Sequence, residues 1–417
     1  VPNEADRHWA RAEYSRLGLD QIVVLDPTAG GGSIPFESAR LGLNTFGNDL
    51  NPVAALIEHA TIELPLKHGL AVLREFERIA SEYIERREKR LLPFFPPEPA
   101  ENAIPTNFIW ARTIRCPHCE GLVPLSPNWR LAPDGTGARM LPEKGKGPGD
   151  TTRHVRFAIV SKAKEQSPGT VSGGDATCPF DDCGRLISGD HIKAEAQAGR
   201  MGEQLYTVVF KKKLITGYTK ASKPKEKWVR GYRPPRPEDD VSQAVAEALA
   251  EKLPDWEAMD MVPTERVPTD INDDRPIQYG MPLWRDLFSP RQLLGHCTAV
   301  EMFRELIEEE KAAGRWNEVT AAAFAYLSLS LDKMLNYNSR MSVWMSTREV
   351  MANTFNRHDF AFCWSHAEMA PLIVGLGYDW AIEQTAKCIG ELVALTRPDA
   401  GATANPQSKF NFDGAPA

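Results

Sequence analysis

Two kinds of hydrophobic pattern divide the chain. Near the start, Gln21-Ile22-Val23-Val24-Leu25 is a short β-branched apolar run that ends at Asp26 and reads as a strand. Pro27-Thr28-Ala29-Gly30-Gly31-Gly32-Ser33 follows, and Ile34 to Leu43 then reads as a helix with Ile34, Ala39 and Leu43 among its apolar positions. Asn44-Thr45-Phe46-Gly47-Asn48 predicts a second strand that closes on Asp49. Strand, glycine-rich turn, helix and strand open an α/β unit. Past Asp286 the spacing becomes helical. One helix starts at Pro290-Arg291-Gln292-Leu293-Leu294, passes Val300 and Leu306, ends over Glu308 to Lys311, and is broken at Gly314. A second, Val319 to Leu331, is strongly apolar and is expected to pack on the sheet and run on to Leu335. Between these regions, Val155 to Val160 reads as a strand and Val241 to Leu253 as a helix within connecting material rich in Pro and acids.

The composition changes this picture little. At 417 residues, 42% hydrophobic and 25% charged, the chain is that of an ordinary soluble protein with two or three domains. It holds no run of eighteen apolar residues, so no membrane helix is expected. Val1-Pro2-Asn3-Glu4-Ala5-Asp6 lacks the basic and apolar parts of a secretory signal, and a cytoplasmic location is expected. There is no initiator Met, as for a sequence that begins inside a longer polypeptide. A net charge of -7 argues against a nucleic-acid coat protein but leaves a local basic groove open.

Candidate chemistry begins at the glycine turn. Consecutive glycines permit positive φ and let a ligand approach the backbone. An acid after the second strand, such as Asp49, is the group that accepts ribose hydroxyls in nucleoside-binding folds. Asp26 before the turn would repel a pyrophosphate, whereas a ligand with an ammonium or sulfonium group and a nucleoside would be tolerated.

Cysteine use points to a metal. Cys116-Pro117-His118-Cys119 and Cys178-Pro179-Phe180-Asp181-Asp182-Cys183 form two close pairs, and four thiolates satisfy a closed tetrahedral zinc site. A redox Cys-x-x-Cys is the alternative, disfavoured because Cys116 is not expected to follow a strand and open a helix. His118 reads as a turn residue. Cys297, Cys363 and Cys388 read as buried thiols; none has the Pro-Cys context of a cytosine-modifying nucleophile.

From Lys211 to Arg233 there are nine Lys or Arg and one acid, Glu226, with Tyr218, Trp228 and Tyr232 interleaved. Such a stretch suits a nucleic-acid backbone, with Lys211, Lys212, Lys213, Arg230 and Arg233 as candidates, or is a solvated loop. The polar-aromatic clusters Asn336 to Arg340, Trp344 and Asn353 to Arg357 stand outside helical periodicity and read as capping groups at helix ends.

Asp26 to Ser33 resembles the first cofactor motif of amino-group DNA methyltransferases, with Thr28 in place of the usual Phe, and Asn48-Asp49-Leu50-Asn51-Pro52 resembles the second. The resemblance implies S-adenosylmethionine as cofactor. Gly30 and Gly32 would floor the methionine portion, Asp26 would lie near its amino group and Asp49 would hold the ribose diol. Pro27, Thr28, Ala29 and Leu50 would complete the binding segments. Over nearly its whole length the chain also resembles large adenine-specific DNA methylases with an internal zinc ribbon, several found beside phage-defence genes. The landmarks Trp110 to Cys116, Pro168 to Cys183, Tyr279 to Met281, Trp284 to Gln292, Asp332 to Arg340, Asn353 to Phe355 and Trp364 to Glu368 occur in order.

That family holds the target amine with an acid or Asn followed by Pro-Pro and an aromatic. Here only Phe94-Phe95-Pro96-Pro97-Glu98 and Arg233-Pro234-Pro235-Arg236 come near, so no catalytic residue is nominated. The resemblance thus implies a central fragment, or one partner of a split enzyme whose companion chain supplies the motif. The expected architecture is a Rossmann-like α/β methyltransferase fold with an inserted four-Cys zinc ribbon and a helical region. Its parts are a cofactor half over residues 1–104, the ribbon with its basic excursion over 105–235, a linker over 236–275, a helical region over 276–400 that packs on the core, and a flexible tail over 401–417. DNA is the expected partner. An RNA or protein methyltransferase, and a catalytically inactive zinc-ribbon subunit that binds nucleic acid, remain as alternatives.

Overall fold

The structure is a computed structural model and describes residues 4–19, 22–218, 224–269, 274–356, 359, 362–370 and 377–396. The tail expected over 401–417, the first residue of the Gln21 strand and Arg357 lie outside the described residues. Described elements run in the order α1 (Glu4–Arg16), β1 (Val23–Asp26), α2 (Ser33–Arg40), β2 (Asn44–Gly47), α3 (Pro52–Glu58), α4 (Leu64–His68) and α5 (Leu70–Leu91). Next come β3 (Ala103–Arg115), β4 (Leu122–Leu125), β5 (Gly137–Glu143), β6 (His154–Val160), β7 (Val171–Ser172), β8 (Asp175–Thr177), β9 (Leu186–Ile187) and α6 (Gly189–Gln197). They are followed by β10 (Gly202–Tyr218), β11 (Pro224–Arg233), α7 (Ser242–Ala258), α8 (Arg275–Gln278), α9 (Pro290–Ala312) and α10 (Glu318–Tyr337). β12 (Trp344–Met345), β13 (Val350–Met351), β14 (Ser365–Met369) and α11 (Gly377–Thr396) complete the series. None of the described helices is long and apolar enough to cross a membrane.

The fold is mixed α/β and divides into two compact units. The first comprises the described parts of Val1–Arg86, Met302–Leu331 and Trp380–Asp413. In it β1 and β2 pair in parallel, Val23 opposite Asn44 through Asp26 opposite Gly47, with α2 between them in sequence. Val72, Phe76, Ile79, Ala80, Ala323 and Leu327 are fully buried or nearly so, and Phe303 meets Phe324 edge-to-face at 5.5 Å. The Tyr326 hydroxyl donates to the Ala60 carbonyl, which binds the late helix to the widened turn His59–Glu63. One face of the small sheet stays open: Val23, Leu25 and Phe46 are 56%, 66% and 62% exposed.

The second unit comprises the described parts of Arg87–Glu301 and Asp332–Asp379. Its sheet is antiparallel in the order β11-β10-β3-β14, and β4 also pairs with β3. Leu91, Phe95, Phe108, Leu205, Val208 and Ala370 form one of its buried apolar clusters, and Val245, Trp256, Met261, Val262, Leu294 and Cys297 another. Against the first cluster the buried Arg291 guanidinium lies 4.2 Å from the Phe108 ring and 4.8 Å from the Phe95 ring. Its charge is met by Glu368, 2.8 Å away and fully buried.

Several expectations change here. The Trp364 to Glu368 landmark lies across a strand, β14, so the late region supplies part of the sheet as well as helices. The linker helix runs past Pro254 to Ala258 because Trp256 is buried there and donates to Glu301. Between the cysteine pairs β5 pairs with β6, so the strand read at Val155 to Val160 lies in a hairpin, and Trp129, Phe157 and Tyr206 form an aromatic cluster with centroids 5.0–5.4 Å apart.

Candidate functional site: an acidic glycine turn and a four-cysteine centre

Two groups of residues stand out, one in each unit. In the first unit the turn after β1 is closed by its own backbone. Ala29 N–H donates to the Asn48 carbonyl at 3.0 Å, Asn48 N–H to the Asp26 carbonyl at 2.9 Å, and Gly32 N–H to the Ala29 carbonyl at 2.8 Å. Gly30 and Gly32 take φ of 55° and 75°, which a side chain disfavours. A Cβ at Gly32 would also press on Glu58 and Ile62 at 3.1 Å, whereas Gly30 and Gly31 have open space above them.

Asp49 joins the two loops. Gly30 N–H donates to its Oδ2 at 2.9 Å and Asn51 N–H to its Oδ1 at 2.8 Å. These bonds hold its carboxyl below the usual carboxylate range, Asn51 acting more strongly than Gly30. Asn51 then caps α3 by accepting from Val53 N–H, with Pro52 in the first turn. Asp26 accepts from Thr28 N–H at 3.2 Å. Leu50 is fully exposed, and Pro27 and Thr28 are exposed beside the buried Ala29. The structure thus brings together the turn residues, Asp26 and Asp49 at the carboxyl ends of two parallel strands, where α/β sheets bind ligands.

A residue the sequence reading missed completes this group. Glu58, at the end of α3, packs against Gly32 and reaches Gly47. Burial pushes its carboxyl up, and the charges of Asp26 and Asp49 push it further. The available signal was its position seven residues past the Asn51 cap, two turns along the helix and so on the face that returns to the loops.

In the second unit Cys116, Cys119, Cys178 and Cys183 converge, with all four Sγ atoms within 4.8 Å of one another. Cys116 lies 3.8 Å from Cys183 and Cys119 lies 3.7 Å from Cys178. A tetrahedron of Zn–S bonds of about 2.3 Å has edges of about 3.8 Å. The four-Cys group can therefore hold a zinc ion. Cys116 does follow a strand, β3, but the pair opens a turn to β4 and no helix. Glu120 and Gly184 turn at φ of 59° and 57° beyond each pair. Behind the thiols Phe180 fills the space at Gly121, and the buried Arg153 lies 4.5 Å over the Phe180 ring while pairing with Asp182 at 2.6 Å. His118 is exposed, contacts the Leu186 carbonyl and stands outside the ligand group.

The basic candidates divide. Lys211, Lys212, Lys213 and Arg230 lie along β10 and β11. Arg233 does not join them: it is held by Glu98 at 2.7 Å and by Asp239, both buried. Of the lone cysteines, Cys297 is buried, Cys363 half-buried and Cys388 exposed. No known protein family, curated protein or solved structure matches the chain.

Proposed function

We propose that the chain is the S-adenosylmethionine-binding part of a DNA adenine-N6 methyltransferase, an enzyme that methylates the exocyclic amine of a flipped base. The observation that carries this reading is the Gly30–Asp49 hydrogen bond, which makes one cradle of the glycine turn and the acid after β2. Three carboxyls, Asp26, Asp49 and Glu58, lie close enough to influence one another, and that favours a cationic nucleoside over a dinucleotide phosphate. S-adenosylmethionine has that charge and would supply the methyl group. Gly30 and Gly32 would floor the methionine portion, Asp26 would lie near its ammonium and Asp49 would hold the ribose hydroxyls. Zinc in the four-Cys group would be structural, since all four ligand positions are filled by thiolates.

We further propose that a companion chain adds strands and the amine-binding motif; among the described residues nothing covers the apolar face that Val23, Leu25 and Phe46 present on β1 and β2. Parallel strands are normally covered on both faces, and a two-stranded sheet is marginal alone.

Calorimetric titration of the zinc-loaded chain with S-adenosylmethionine tests the cofactor assignment. Saturable binding that Asp49→Ala abolishes and Asp49→Asn weakens supports it. An absence of binding by folded protein refutes it.

A further inference from the structure

We propose that one face of the β10–β11 ribbon, the face bearing Lys212, Lys225 and Lys227, lies against the phosphate backbone of duplex DNA; this identifies the substrate-contacting surface and rests on the nucleic-acid part of the reading above.

Residues directly opposite in an antiparallel pair share a face. Lys211 lies opposite Arg230, Lys213 opposite Trp228 and Ile215 opposite Glu226. Lys212 lies opposite Val229, Leu214 opposite Lys227 and, past the bulge between Ile215 and Gly217, Gly217 opposite Lys225. The register therefore sorts the basic stretch into two faces.

On the first face two of the three cations, Lys213 and Arg230, meet acids and aromatic rings within the chain. Lys213 pairs with Glu226 at 2.9 Å and lies 5.4 Å over the Trp228 ring. Arg230 is 3.7 Å from Glu349 and 5.9 Å from the Trp344 ring. Lys211 is half-buried beside Arg230. The second face has its three lysines and no acid, and among the described residues no ion pair holds any of them. Lys225 and Lys227 are exposed, and so are the two aliphatics between the lysines, Leu214 and Val229.

The shape suits the same partner. β10 leaves β3 after Lys212, which is the last residue paired to it, opposite Ala103. Beyond that point the strands continue as a two-stranded ribbon. Such a ribbon is one of the elements that B-DNA's major groove, about 12 Å wide, admits. Lys225 and Lys227 are spaced about 6.8 Å apart by the strand repeat and point the same way. Leu214 and Val229 between the lysines are side chains able to meet base edges and thymine methyls.

The test is fluorescence anisotropy of a labelled 20-base-pair duplex with the full zinc-loaded chain, across salt concentrations. Lys212→Ala, Lys225→Ala and Lys227→Ala are combined in one variant, and Lys146→Ala, Lys162→Ala and Lys164→Ala in a charge-matched control. Loss of three phosphate contacts lowers the slope of log K against log salt by about 2.7. The ribbon variant is expected to bind at least tenfold more weakly than the wild type at low salt, with the control unchanged. Equal behaviour of the two variants overturns the proposal, as does a wild-type chain that fails to bind duplex. It is also overturned if these lysines govern binding to anionic phosphatidylserine vesicles and not to DNA. Titrating the ribbon variant with S-adenosylmethionine reads the cofactor site separately. Loss of DNA binding with an unchanged calorimetric signal assigns the defect to the ribbon and not to folding.

Discussion

Gly32 and Glu58 are packed so that a single added carbon on the glycine would lie 3.1 Å from Glu58 Cγ. The contact joins the start of α2 to the end of α3 and holds both behind the acidic turn. Gly31, one residue earlier, has nothing within 4 Å of its missing Cβ and no positive φ. Neighbouring glycines therefore do different work. Gly32→Ala is expected to lose about 1–2 kcal/mol of stability, because strain at positive φ adds to crowding. Gly31→Ala should stay within about 0.5 kcal/mol on the same grounds. Urea unfolding of the two variants checks the contrast, and equal losses would contradict it.

The four-Cys group predicts a metal count. Purified chain should release about one zinc per chain when its thiolates are titrated with a mercurial, and Cys178→Ser should release much less. His118→Ala should keep the full count, since His118 contacts the Leu186 carbonyl and not the thiols. Atomic absorption on the three proteins decides this. A fall in zinc on removing His118 would mean that the ligand set is wrong.

What was legible in the sequence was chemistry carried by short segments. The strand ending at Asp26, the turn, the strand before Asp49 and the two Cys pairs are local patterns, and the structure brings each group together. What was not legible depended on partners far along the chain. Trp364 to Glu368 gives no sign that it pairs with β3, because Arg112 N–H finds the Trp364 carbonyl only after folding. The helix past Pro254 is set by a distant acceptor on Glu301. Arg233 looked like the end of a basic run, yet its role is decided by Glu98, 135 positions away. Register also separated Lys212 from Lys211 and Lys213, a distinction that composition cannot make.

Arg233 accordingly predicts a stability effect. Its guanidinium bridges Glu98 and Asp239, which are 3% and 0% exposed, so removing it leaves the buried Glu98 without its cation, while Asp239 keeps Arg236 at 3.0 Å. Arg233→Ala should destabilise the fold by about 3–5 kcal/mol, the range for breaking a buried ion pair. Lys227→Ala, on the exposed ribbon face, should cost under about 0.5 kcal/mol. Thermal melts of the two variants give the comparison. An Arg233→Ala chain as stable as Lys227→Ala would show that the network contributes nothing.

Acid should unfold the second unit through its buried histidines. His366 is fully buried, neither ring nitrogen has a hydrogen-bond partner among the described residues, and burial is the main cause that pushes it down to about 3. His296 is pushed down to about 4 by burial, although its Nε2 donates to the Asn338 carbonyl at 2.9 Å. In the unfolded chain both titrate near the ordinary value of about 6.5. The folded state therefore binds fewer protons below that value, so stability is complete above about pH 6.5 and falls as pH drops toward 4 and 3. Between pH 7 and pH 5 each histidine should remove about 2 kcal/mol, from the proton uptake of the unfolded chain alone. Urea unfolding of the wild type at the two pH values measures the sum. His366→Leu should roughly halve the difference, whatever it does to absolute stability, because one of the two titrating groups is gone. A wild type equally stable at both values would mean that the histidines reach water in the folded state. An undiminished pH dependence in His366→Leu would place the titrating group elsewhere.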